Sequence, residues 1–171
     1  MKSTLKGNVR SISPDYVPTL EVTKSGDSII IEEKRKTFAI IGFNWEQINL
    51  DISVPKSFQG DIKYEGKSGD INIDDLEGSA QLEAISGNIK VTAKEAEDKI
   101  YIKASSGNIE LKMPSNTGFT LDSKVSSGDI KCDFDLDIED SGDHKLRGSY
   151  GNGSIPVNIN TTSGNIDIEK R

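Results

Sequence analysis

The sequence predicts an all-β protein: a parallel β-solenoid, or flattened β-helix, with coils of about 18–21 residues and an N-terminal β cap. Three observations predict it. The phrase Ser-Gly-Asp/Asn-Ile occurs five times, with its glycines at Gly69, Gly87, Gly107, Gly128 and Gly164, hence 18, 20, 21 and 36 residues apart. After each copy apolar residues alternate with polar ones, as in Ile71/Ile73, Ile89/Val91, Ile109/Leu111, Ile130/Cys132 and Ile166/Ile168, which is the period of a strand with one buried face. Gly60, Gly69, Gly78 and Gly87 beat at nine residues, with later midpoints near Lys99, Gly118 and Gly153, so each period holds two strands and two turns. An antiparallel β-sandwich is the alternative all-β arrangement.

In chain order, residues 1–7 read as a linker-like start rather than a targeting segment. Residues 28–32, 37–41 and 48–55 read as ordinary strands, and Ser25-Gly26-Asp27 as a decayed copy of the phrase. An uncovered terminal coil offers unpaired edge groups to another chain, so residues 20–59 are expected to cap the repeat. Phe43 and Trp45 would form the cap's core or a partner-facing patch. Residues 60–170 then carry the coils within one domain spanning 1–171. The 36-residue gap is about two periods, as if residues 133–152 replaced one copy. There Phe134, Leu136 and Ile138 continue the alternation, a polar turn follows, and Leu146 to Tyr150 returns as a hairpin or long strand. Gly148, Gly151 and Gly153 bracket an expected mobile loop.

The phrase is a corner piece. Glycine enters positive φ, where another residue is strained by about 1–2 kcal/mol, and Asp or Asn beside it bonds nearby backbone. The corner residues are therefore Gly69 and Asp70, Gly87 and Asn88, Gly107 and Asn108, Gly128 and Asp129, Gly164 and Asn165. Calcium-binding nonapeptide rolls share the nine-residue beat, but their paired glycines and additional Asp are missing, so no cofactor is expected and Ca²⁺ is the one ion worth testing. Ladders of Ser and Asn would also present a flat hydrogen-bonding surface to a polysaccharide.

With 21 Lys and Arg against 28 Asp and Glu, the net charge of −7 argues against nucleic acid as a partner. No apolar run approaches the roughly 20 residues of a membrane span, so attachment to a membrane would need an anchor outside this sequence. Cys132, the sole cysteine, forms no internal disulfide. It is expected to point inward while His144, the sole histidine, sits on a turn, so no nucleophile–base pair assembles and no catalytic residue is assigned. The acidic run Asp133, Asp135, Asp137, Glu139 and Asp140 reads as a solvated face or a weak cation site. The irregular insertion offers the candidate interaction loop, with Asp143, His144, Arg147 and Tyr150, since loops on a rigid repeat carry function.

The phrase repeated from Gly60 to Lys170 resembles the bacterial putative-adhesin family of β-strand-repeat proteins, a family of otherwise unknown function. Asp51-Ile52-Ser53-Val54-Pro55, Gly60-Asp61-Ile62 and the closing segment from Ile155 to Ile166 are similar to that family's lead-in and last coil. The resemblance implies a parallel β-solenoid at the outer face of the cell membrane, often behind a transmembrane helix and in some members encoded near envelope-stress systems; it transfers no catalytic residue. The expected function is a non-enzymatic extracytoplasmic scaffold or adhesin that binds protein or cell-wall polymer as a monomer or weak homo-oligomer. The alternatives are a module self-assembling through its terminal coils and a carbohydrate-active solenoid enzyme.

Overall fold

The computed structural model describes residues 2–10, 19–26, 28–34, 45–54, 58, 60–95 and 98–171. They form sixteen strands and no helix, with both parallel and antiparallel pairing. The chain divides into two compact units, residues 1–56 and 57–171.

In the first unit, β1 (Lys2–Arg10) pairs antiparallel with β4 (Trp45–Ser53), and β2 (Thr19–Ser25) with β3 (Ser28–Lys34) around Gly26. The expected linker at residues 1–7 is thus corrected: from Lys2 onward it is strand, because Leu5 and Val9 belong to an extended segment that Leu50 and Glu46 pair. The expected strand at 37–41, Phe43 and the Trp45 side chain lie outside what is described.

In the second unit the strands fall alternately into two sheets. The five-stranded sheet holds β6 (Ile71–Glu77), β8 (Ile89–Glu95), β10 (Ile109–Met113), β12 (Ile130–Cys132) and β16 (Ile166–Lys170). The seven-stranded sheet holds β5 (Ile62–Ser68), β7 (Ala80–Ser86), β9 (Ile100–Ser106), β11 (Phe119–Ser127), β15 (Ile155–Ser163) and the hairpin β13 (Asp137–Gly142) and β14 (Lys145–Tyr150). Every pair outside that hairpin and its contact with β11 is parallel, which an antiparallel sandwich would not show.

Strict register brings like residues together. Ile71, Ile89, Ile109, Ile166 and Ile130 are successive partners, as are Ile73, Val91, Leu111, Ile168 and Cys132 beside them. In the other sheet Tyr64, Leu82, Ile102, Ile159 and Ser123 form a matching row. Ile89, Ile109, Ile166, Leu82, Ile102 and Ile159 are fully buried in one core, each contributing about 1.5–3 kcal/mol of apolar burial.

The order of strands differs from sequential stacking. It runs β6-β8-β10-β16-β12 and β5-β7-β9-β15-β11-β14-β13, so the C-terminal pair β15 and β16 lies between earlier strands rather than at an end. The 36-residue gap holds one ordinary pair of strands, β12 and β15, with the β13–β14 hairpin inserted between them on the outer side of β11, so residues 133–152 are an insertion and not the replaced copy expected from the sequence.

Within residues 133–152 the expected alternation holds at Phe134, which is buried, and at Leu136, which packs against the core, and fails at Ile138. β12 ends at Cys132, and Phe134 sits at a bend with its ring buried against Phe119 and Tyr150, at centroid distances of 4.9 Å each. Ile138 faces solvent on β13. Gly148 is not part of a loop: it lies buried within β14, where a Cβ would stand 2.7 Å from the Asp137 carbonyl oxygen. Only Gly151 and Gly153 form a turn, both at positive φ.

Candidate functional site

The corners build one continuous column. In stacking order Gly69, Gly87, Gly107, Gly164 and Gly128 have φ between +121° and +133°. A Cβ on Gly87, Gly107, Gly164 or Gly128 would lie 2.1–2.2 Å from the carbonyl oxygen of the glycine below, while one on Gly69 would meet nothing. Glycine is thus required twice over, by conformation and by close approach. Beside it the side-chain oxygen of each Asx residue accepts the next backbone N–H: Asp70 from Asn88 at 2.7 Å, Asn88 from Asn108 at 3.0 Å, Asn108 from Asn165 at 2.9 Å and Asn165 from Asp129 at 3.0 Å. These oxygens are engaged by amides rather than directed at a shared cation, and among the described residues no three His, Cys, Asp or Glu gather as a metal site. All ten predicted corner residues take part in this one column.

The four residues of the candidate loop separate. Asp143 and His144 are exposed at the β13–β14 turn, and the His144 carbonyl accepts the Val125 N–H at 3.0 Å. Arg147 is tied to Asp122 on β11 at 2.6 Å. Burial alone would lift the Asp122 carboxyl, but Arg147 and Lys124 outweigh it and hold Asp122 below its ordinary value. Tyr150 serves packing: its ring joins Phe119 and Phe134, and its hydroxyl donates to the Ser115 carbonyl at 2.9 Å.

Cys132 is half-buried beside the core, and burial pushes its thiol up, the opposite of what a nucleophile needs. The carboxylates from Asp133 to Asp140 are all exposed; Asp140 pairs with Lys145, and Asp135 lies 4.0 Å from Lys170.

The outer face of the seven-stranded sheet carries a further cluster. Register aligns Glu65, Glu83, Lys103, Asn160, Lys124 and Lys145 across six strands. At its basic end lies an open groove of about 380 Å³, lined by Lys103, Lys124, Lys145, His144, Asn160, Ser126 and Thr162 among others. Sequence reasoning missed this cluster. Part of the signal was present, since Lys103 and Lys124 both stand four residues before a corner glycine, but Lys145 joins them only through the hairpin.

Comparison with known proteins fits this geometry. No curated protein matches the chain. A solved structure of a putative cell adhesion protein from Clostridium sporogenes is similar in fold, with a TM-score of 0.62 at 13% identity over 98% of this chain and 82% of that one. The family model described as Toastrack DUF4097 matches residues 61–169, the segment from the first corner strand to the last. With well over half of its length matched, the chain belongs to the Toastrack DUF4097 family.

Proposed function

We propose that this protein is a non-enzymatic scaffold of the cell surface, a flattened β-solenoid displayed on the extracytoplasmic side that binds protein or cell-wall polymer through its outer sheet faces. The observation that carries the reading is the in-register corner column, which holds two sheets with outer faces on which side chains line up from strand to strand. Such faces suit extended ligands better than small substrates, which are bound in deep concave pockets. The raised thiol of Cys132 and the exposed turn position of His144 support the non-enzymatic part. The fold shared with the putative cell adhesion protein of Clostridium sporogenes supports surface display.

Self-assembly through the ends is the competing reading, and two features oppose it. The hairpin lays an antiparallel, acidic edge strand over one end of the seven-stranded sheet, and β12 leaves an edge only three residues long beside it. Sedimentation with isolated bacterial cell envelopes tests the proposal: saturable binding above that of an inert protein of equal net charge is expected, and its absence sinks the reading. Light scattering over a hundredfold range of concentration should show one mass; growth in mass with concentration would favour end-to-end assembly instead.

A further inference from the structure

We infer that the basic groove over β9, β15, β11 and β14 is a binding site for a phosphate-bearing polymer. The inference deepens the surface-binding reading and rests on it for its biological setting, but the site is argued from its own chemistry. In a chain of net charge −7, three lysines and the single histidine meet in one groove, and none of its lining residues is acidic. The sheet creates this concentration against its own electrostatics: Lys124 stands directly opposite Lys145 in the antiparallel β11–β14 pair, and like charges so placed are destabilising.

Internal carboxylates relieve the charge only in part. Lys145 pairs with Asp140, and Lys124 lies 3.5 Å from Asp122, but Asp122 is shared with Arg147 at 2.6 Å. Lys103, exposed on β9, makes no ion pair among the described residues. A bound anion would supply the missing counter-charge.

The donor types call for an anion. Lysine binds phosphate as a point charge, whereas arginine's planar fork matches carboxylate and phosphate alike, so the three lysines beside His144 are compatible with phosphate and the carboxylate polymer is the necessary comparison. Ser126 on β11 and Thr162 on the neighbouring β15, both exposed, add hydroxyl donors beside the amide of Asn160. Lys103 and Lys124 are two strands apart, about 9–10 Å across the sheet, so a chain carrying several charges reaches both where one isolated ion does not.

The test titrates the full chain with short-chain inorganic polyphosphate, with inorganic phosphate alone and with polygalacturonate as a carboxylate polymer, followed by amide chemical shifts and calorimetry. Polyphosphate should shift the amides of Lys103, Lys124, Lys145 and Asn160 and bind more tightly than either comparison ligand. The combined substitutions Lys103→Gln, Lys124→Gln and Lys145→Gln should weaken it about tenfold or more and reduce the salt dependence by about one unit of slope per lysine removed. Lys63→Gln, on the same face but paired with Glu65 at 2.8 Å, should change neither. Unchanged polyphosphate affinity in the triple variant would overturn the site, and equal binding of polygalacturonate would overturn the phosphate class. If the triple variant still binds cell envelopes like the parent, the groove is not the envelope contact and the inference fails while the scaffold reading stands. If the parent ignores envelopes but binds polyphosphate at these residues, the scaffold reading fails and the site remains.

Discussion

Gly107 and Gly69 share a phrase, a conformation and a strand context, yet the structure separates them. Both have φ above +120°, so alanine at either is strained by about 1–2 kcal/mol. At Gly107 the new methyl would also lie 2.1 Å from the Gly87 carbonyl oxygen, whereas at Gly69 it would point into open space. Gly107→Ala should therefore cost at least about 2 kcal/mol more than Gly69→Ala in urea unfolding, and equal costs would contradict the stacked column. Ser123 has the opposite sign. Its hydroxyl is fully buried next to Ile159 and has no hydrogen-bond partner, a penalty of about 1–3 kcal/mol. Ser123→Ala should stabilise by about 1 kcal/mol, raising the melting temperature by about 2–4 °C for a chain this size; a lower melting temperature would mean that the hydroxyl has a partner in solution.

At the scale of the element, the Asx column explains a choice that looks arbitrary along the chain. In sequence order the corners read Asp, Asn, Asn, Asp, Asn; in stacking order they read Asp70, Asn88, Asn108, Asn165, Asp129, with charge only at the two ends. Rungs of a parallel ladder are about 4.8 Å apart, so neighbouring carboxylates would repel along the whole column while amides keep the same acceptor oxygen. Replacing Asn88→Asp and Asn108→Asp together puts three carboxylates in succession and should cost about 1–2 kcal/mol at pH 7 and low salt. Stacked like charges raise the folded-state pKa of these groups above the unfolded value of about 3.9. The folded state then holds the extra protons, so the lost stability returns as pH falls through that interval and shrinks in high salt. A penalty independent of both pH and salt would refute the electrostatic account.

The whole second unit is closed by its C-terminus. β15 bridges β9 and β11, and β16 bridges β10 and β12, so the last 17 residues, 155–171, hold the two parts of each sheet together. In a sequentially stacked repeat, trimming the last copy frays one end and leaves the rest folded. Here a chain ending at residue 154 should lose its cooperative thermal transition altogether. In the intact protein the amides of Ile159 and Ile166 should rank with those of Ile102 and Ile109 among the slowest to exchange. A truncated chain that still melts cooperatively, or rapid exchange across β15 and β16, would contradict the bridging role.

Local chemistry made the strands that follow each corner, their inward faces and every corner residue readable from sequence, because a side-chain period of two and a glycine at positive φ are properties of adjacent residues. The contact of the Phe134 ring with Phe119 and Tyr150 and the burial of Gly148 in β14 were not readable, since both depend on where the hairpin lands. The basic groove was half-visible, as Lys103 and Lys124 share a repeat position, but Lys145 reaches them only through antiparallel pairing with β11. The sequence by itself determined an all-β repeat with glycine-marked corners and isoleucine inside. Only the tertiary structure decided which copy lies beside which, because all five copies fit any neighbouring slot, and the hairpin covering the outer side of β11 leaves the last copy an interior one.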